Sequence, residues 1–82
     1  MASTLDRVKK VVASVLKVDE SKIKPESDFV KDLGAASIQS YELVAAFEEE
    51  FDIEMDQDEA LAVQSVAEAI RFIEKVIAGQ KS

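Results

Sequence analysis

Leu5, Val8, Val12 and Val15 recur at spacings of three and four residues, with Val11 and Leu16 beside them and Arg7, Lys9, Lys10 and Lys17 on the other faces. That period predicts an amphipathic helix over about Thr4 to Lys17, with Ser3 or Thr4 as its N-cap. From Val18 to Ala36 the period disappears and the only proline, Pro25, occurs, so this stretch reads as a long first loop. A loop of that length needs anchors, and the irregularly spaced Ile23, Phe29, Val30 and Leu33 are the candidates. Leu43, Phe47 and Phe51, with Val44 at their edge, mark the core side of a second helix over about Ser37 to Phe51. Asp56-x-x-Glu59 followed by Ala60, Leu61 and Val63 predicts a short third helix. Ser65-x-x-Glu68 is a capping box that opens a fourth, with Val66, Ile70, Ile73 and Ile77 on its buried face and Gly79 as its stop. No segment alternates as a strand would. The pattern predicts an all-α fold, a small four-helix bundle with three longer helices, one short third helix and a long first loop. It is expected to form a single domain over residues 1–82, with its core at about 4–78 and 79–82 as a frayed tail.

The second helix carries apolar residues on its outward side as well. Ile38, Tyr41 and Ala45 project away from the core stripe, among Glu42, Glu48 and Glu49. One exposed apolar side chain is ordinary on any surface. Three on one stripe, at the start of the most acidic helix, point to a surface on which a partner docks.

Composition narrows the chemistry. A chain of 82 residues, 48% hydrophobic and 33% charged, suits one folded core, and with aromatics at 6% that core is filled mainly by small aliphatic side chains. The absence of Cys and His removes disulfides, thiolate or imidazole zinc sites and His-activated nucleophiles. No acid, base and nucleophile constellation can be assembled, so the chain is not expected to be an enzyme. The longest apolar run, Leu43 to Phe47, is far too short to span a bilayer, and Met1-Ala2-Ser3-Thr4 lacks the basic and apolar regions of a signal peptide. The expectation is a cytoplasmic, monomeric protein without membrane insertion.

Charge is polarised along the chain. The net charge is −7, but from Asp32 through Ile70 there are eleven acids and no Lys or Arg. Such a field repels nucleic acid and steers the molecule toward proteins with basic patches. Within this block, Asp52-x-Glu54-x-Asp56-x-Asp58 suggests a calcium loop but lacks the glycine and the closing glutamate, since Gln57 and Val63 stand at those positions. A solvated acidic face is the expectation there, and no metal site is assigned.

Ser37, just after Gly34-Ala35-Ala36, is the remaining chemical group of interest. By position alone it reads as an ordinary N-cap. Without a neighbouring base its hydroxyl is a poor nucleophile, yet a helix N-terminus favours an attached phosphate, so another enzyme could phosphorylate or phosphopantetheinylate it.

Taken together, Phe29-Val30-Lys31-Asp32-Leu33-Gly34-Ala35-Ala36-Ser37-Ile38, then Glu42-Leu43 and Glu48-Glu49-Glu50-Phe51-Asp52-Ile53-Glu54, resembles the acyl carrier proteins, over about Leu5 to Ile77. The resemblance implies a carrier rather than a catalyst, in fatty acid biosynthesis or related lipid metabolism. A phosphopantetheinyl transferase would attach 4'-phosphopantetheine to Ser37, and the thiol of that arm would hold acyl groups as thioesters. It further implies that an acyl chain can fold back between the helices. Acyl-transferring and acyl-modifying enzymes with basic docking patches would meet Ile38, Tyr41, Glu42, Ala45, Glu48 and Glu49. At the attachment site the chain departs from the family's usual Asp-Ser-Leu: here it reads Ala36-Ser37-Ile38, followed by Gln39 where an acid is common. Loss of one charge-assisted contact costs about 1.5–3 kcal/mol of recognition, so the expectation is that Ser37 is modified slowly, by a specialised transferase, or not at all, and the change reads as the sign of a carrier for a specialised lipid or polyketide pathway rather than the general fatty-acid one. The alternative is an unmodified acidic helical module that binds a basic partner.

Overall fold

The computed structural model describes residues 3–80, the side chain of Gln80 excepted. Four helices follow one another, α1 (Thr4–Leu16), α2 (Ser37–Phe51), α3 (Gln57–Leu61) and α4 (Val66–Gln80), with one turn of 3-10 helix at Glu20–Lys22 in the first loop. α1 begins where its polar start predicts: the Ser3 hydroxyl accepts the Asp6 N–H at 3.1 Å. Val8, Val11, Val12 and Leu16 bury the face set by the three- and four-residue spacing, while Leu5 and Val15 lie partly buried at its margin. α1 packs against both α2 and α4, whereas α2 and α4 approach each other much less closely. Leu43, Phe47 and Phe51 of α2 and Val66, Ala69 and Ile73 of α4 complete the core, and Ile70 and Ile77 flank it.

α1 and α2 both end on a residue other than glycine in the left-handed conformation, Lys17 at φ 57° and Asp52 at φ 54°. The following amides close the turns, Val18 N–H onto the Ala13 carbonyl and Ile53 N–H onto that of Glu48. Arg7 ties the two helices together. Its guanidinium donates to the Glu50 carboxylate at 2.9 Å and to the Glu50 carbonyl at 2.6 Å, and lies 4.3 Å from the centre of the Phe51 ring. This is the one ion pair among the described residues, so most of the acidic block forms none.

The first loop is held by backbone bonds as well as by side chains. Ile23 and Phe29 are buried as expected and Leu33 is half-buried, but Val30 is 61% exposed and anchors nothing. The reason is local: the Asp28 carboxylate accepts the N–H groups of Val30 at 2.9 Å and Lys31 at 2.8 Å, a turn that directs Val30 outward. Phe29 N–H bonds the Gln64 carbonyl, and the Ser27 and Pro25 carbonyls receive the N–H groups of Val66 and Ala67. An isolated antiparallel bridge between Asp28 and Ser65 thus docks the loop on the start of α4. Gly79 is a further correction: α4 continues through it to Gln80, because a glycine stops a helix when it turns left-handed and Gly34 is the only described glycine that does. Of the expected frayed tail, residues 81–82 lie outside the described residues.

Candidate functional site: the start of helix α2 and the cavity behind it

Two turns of hydrogen bonding lead into the site. Asp32 N–H and Leu33 N–H both bond the Asp28 carbonyl, Gly34 N–H bonds that of Val30, and Ala35 N–H bonds that of Phe29 at 2.8 Å. The Asp32 carboxylate returns to the Asp28 N–H at 2.7 Å. Gly34, at φ +70°, supplies the left-handed residue this knuckle requires. Ala35 is buried by the turn, and the chain emerges at Ala36 directly into α2.

Ser37 is not the N-cap that its position suggested. Ala36 has the extended backbone of a cap, φ −82° and ψ 164°, and Ser37 is the first helical residue. A methyl group accepts nothing, so the N–H groups of Ser37, Ile38 and Gln39 have no acceptor among the described residues. Only the reciprocal half of a capping box is present, the Gln39 side-chain oxygen accepting the Ala36 N–H at 2.9 Å. The Ser37 side chain is exposed and its hydroxyl makes no hydrogen bond to a described residue. A phosphate ester fits there: the oxygen is reachable, three backbone donors lie within its turn, and the 15-residue helix adds a favourable dipole.

Behind this turn, α2 and α4 stand apart over a cavity of about 360 Å³. Its walls are mostly apolar, Leu43, Val44 and Phe47 from α2, Leu61 from α3 and Phe72 from α4, with Met55 and Val63 from the connections. Ser40, nearly one helical turn beyond Ser37, lines it, as do Val30 and Lys31 of the first loop.

The outward stripe of α2 is assembled as the helical spacing requires. Ile38 is 71% and Tyr41 51% exposed, and Glu42, Ala45 and Glu49 are exposed with them. Glu48 differs, being half-buried with its carboxylate on the Met55 N–H at 2.9 Å, where it holds the connection to α3. Sequence reasoning gave Val30 the wrong role; it joins Ile38 and Tyr41 as a large exposed apolar residue. The signal available was Asp28, two residues before it, a residue type that favours a tight turn.

The family described as the phosphopantetheine attachment site matches residues 6–73. The chain is 45% identical over 75 residues to an acyl carrier protein of Phenylobacterium zucineum, covering 92% of this chain and 95% of that one. Its fold matches the solved structure of a Mycobacterium tuberculosis protein assigned as an acyl carrier protein, with a TM-score of 0.77 at 22% identity, covering 95% of this chain and 99% of that one. The chain belongs to the acyl carrier protein family, whose members are non-catalytic carriers of a covalent 4'-phosphopantetheine group.

Proposed function

We propose that Ser37 is the attachment point of the phosphopantetheine arm, and that the outward stripe of α2 is where partner enzymes dock. The observation that carries the first part is the conjunction at one turn: an exposed serine without a partner, at the first position of a helix whose N–H groups have no acceptor. The arm supplies the thiol that this cysteine-free chain lacks. The chain's own contribution is passive. Ser37 offers an oxygen for the phosphodiester: the new O–P bond forms as the pyrophosphate of coenzyme A breaks and the adenosine bisphosphate half leaves, and with no histidine in the chain the reading assigns the hydroxyl proton to the transferase. No Lys or Arg lies between Asp32 and Ile70, so the helix that begins at Ser37 carries no basic side chain of its own to hold the phosphate. The cavity between α2 and α4 gives an acyl chain an apolar place to shelter, worth about 0.8 kcal/mol for each buried methylene.

Glu42 and Glu49, exposed beside Ile38, Tyr41 and Ala45, would guide partners with basic patches, while Glu48 contributes charge and holds the α2–α3 connection. The reading keeps the protein cytoplasmic, and the net charge of −7 favours a monomer. Ala36 before the serine supports a carrier dedicated to a particular lipid or polyketide route rather than to general fatty acid synthesis. Incubation with coenzyme A, Mg²⁺ and a broad-specificity transferase should add the mass of the arm, and Ser37→Ala should abolish the gain. No gain with several transferases, or the same gain in the variant, would refute the assignment. Reversing Glu42 and Glu49 to Lys should lower the transfer rate at subsaturating carrier at least about tenfold. If instead these reversals abolish partner binding and Ser37→Ala changes nothing, the chain is the unmodified binding module.

A further inference from the structure

We propose that Gln39 is a positioning residue for modification of Ser37, standing in for the side-chain cap that Ala36 cannot provide. The inference rests on Ser37 as the attachment point. On the N-terminal side of the serine the backbone is fixed by Ala35, buried and bonded through its N–H to the Phe29 carbonyl at 2.8 Å. On the helical side the Ser40 N–H bonds the Ala36 carbonyl, the first bond of α2. Between these two points the Ala36 N–H is held only by the Gln39 side-chain oxygen, at 2.9 Å. A side-chain acceptor at the cap would fix this junction by binding a helical N–H; alanine has none, and here the clamp comes from the third helical residue reaching back.

Gln39 is half-buried with its side-chain oxygen on the Ala36 N–H, while Ser37 beside it is exposed. The clamp acts on the peptide that joins Ala35 to Ala36, and the Ser40 N–H holds the next one through the Ala36 carbonyl; together they set the direction from which the Ser37 hydroxyl meets a transferase. Docking acids such as Glu42 and Glu49 act on encounter, whereas the amide clamp acts on the geometry of the bound hydroxyl. The two contributions separate kinetically, the first in KM and the second in kcat.

The test uses the full chain without its arm, coenzyme A, Mg²⁺ and a transferase that modifies the wild type. Gln39→Ala should lower kcat about three- to tenfold with KM for the carrier unchanged, the effect expected for one lost hydrogen bond. Hydrogen exchange at the Ala36 amide should accelerate by a similar factor. Gln39→Glu, which keeps an acceptor at the same reach, should restore both. Exchange at Val12 and Ile73, measured in the same samples, should stay at the wild-type level and so exclude general unfolding. Wild-type kcat in Gln39→Ala, or a Gln39→Glu variant as slow as Gln39→Ala, would overturn the inference while leaving Ser37 as the attachment point. Absence of modification in the wild type would instead overturn the attachment assignment itself.

Discussion

At the start of α4 every early N–H group has an acceptor: Val66 and Ala67 bond the carbonyls of Ser27 and Pro25, and Glu68 bonds the Ser65 hydroxyl at 3.2 Å. The Glu68 carboxylate returns to the amides of Gln64 and Ser65, at 3.1 Å and 3.2 Å. At the start of α2 the amides of Ser37, Ile38 and Gln39 are open, and only Gln39 reaches back. Both helices are 15 residues long, so length does not explain the contrast. The closed end is a structural joint, where the first loop and α4 stabilise each other. The open end forgoes about 1 kcal/mol of capping at the turn that carries the proposed attachment serine.

The contrast can be broken most severely from the loop side. Ile23 is fully buried and, with Phe29, holds the loop whose carbonyls close α4. Ile23→Ala should cost about 2–5 kcal/mol in chemical denaturation and expose the Val66 and Ala67 amides to exchange. A loss well under 1 kcal/mol would mean that the backbone bonds alone fix the loop. Next in size is the box itself. Ser65→Ala should cost about 0.5–2 kcal/mol, while Ser37→Ala, at the first helical position, should leave stability nearly unchanged. Equal losses at the two serines would erase the distinction drawn between the two helix starts.

The open end can also be closed. Ala36 already has cap geometry, so Ala36→Asp should raise the stability of the chain without its arm by about 1 kcal/mol, or about 4–8 °C in Tm for a domain of this size. A Tm below that of the wild type would show that the turn cannot accept a cap. The smallest effect expected is that of salt. With one ion pair, Arg7–Glu50, among the described residues and eleven acids in one block, moderate ionic strength should raise Tm by a few degrees, about 0.5–1 kcal/mol. A Tm insensitive to salt would show that the basic residues outside the block already neutralise it.

These differences mark how far the sequence could be read. The α4 box was legible because both partners, Ser65 and Glu68, lie within one turn and are of the right chemical types. The core stripe of α2 and the outward placement of Ile38 and Tyr41 followed from helical spacing alone. Periodicity has nothing to say about an irregular loop, so the outward turn of Val30, the 3-10 turn at Glu20–Lys22 and the bonds from Ser27 and Pro25 to α4 were hidden. Arg7 and Glu50 are 43 residues apart, and only the packing of α1 on α2 brings them together. Ser37 was recognisable as the residue of interest, but its place one position inside the helix depends on the backbone of Ala36.

The most direct test of the account is the intact mass of the protein isolated from the cells that produce it, followed by peptide mapping across Ser37. The account predicts a mass raised by the phosphopantetheine arm, with or without an acyl load, located on Ser37 and absent from Ser37→Ala. A bare polypeptide mass in fully competent cells, or an arm found on another residue, would contradict it.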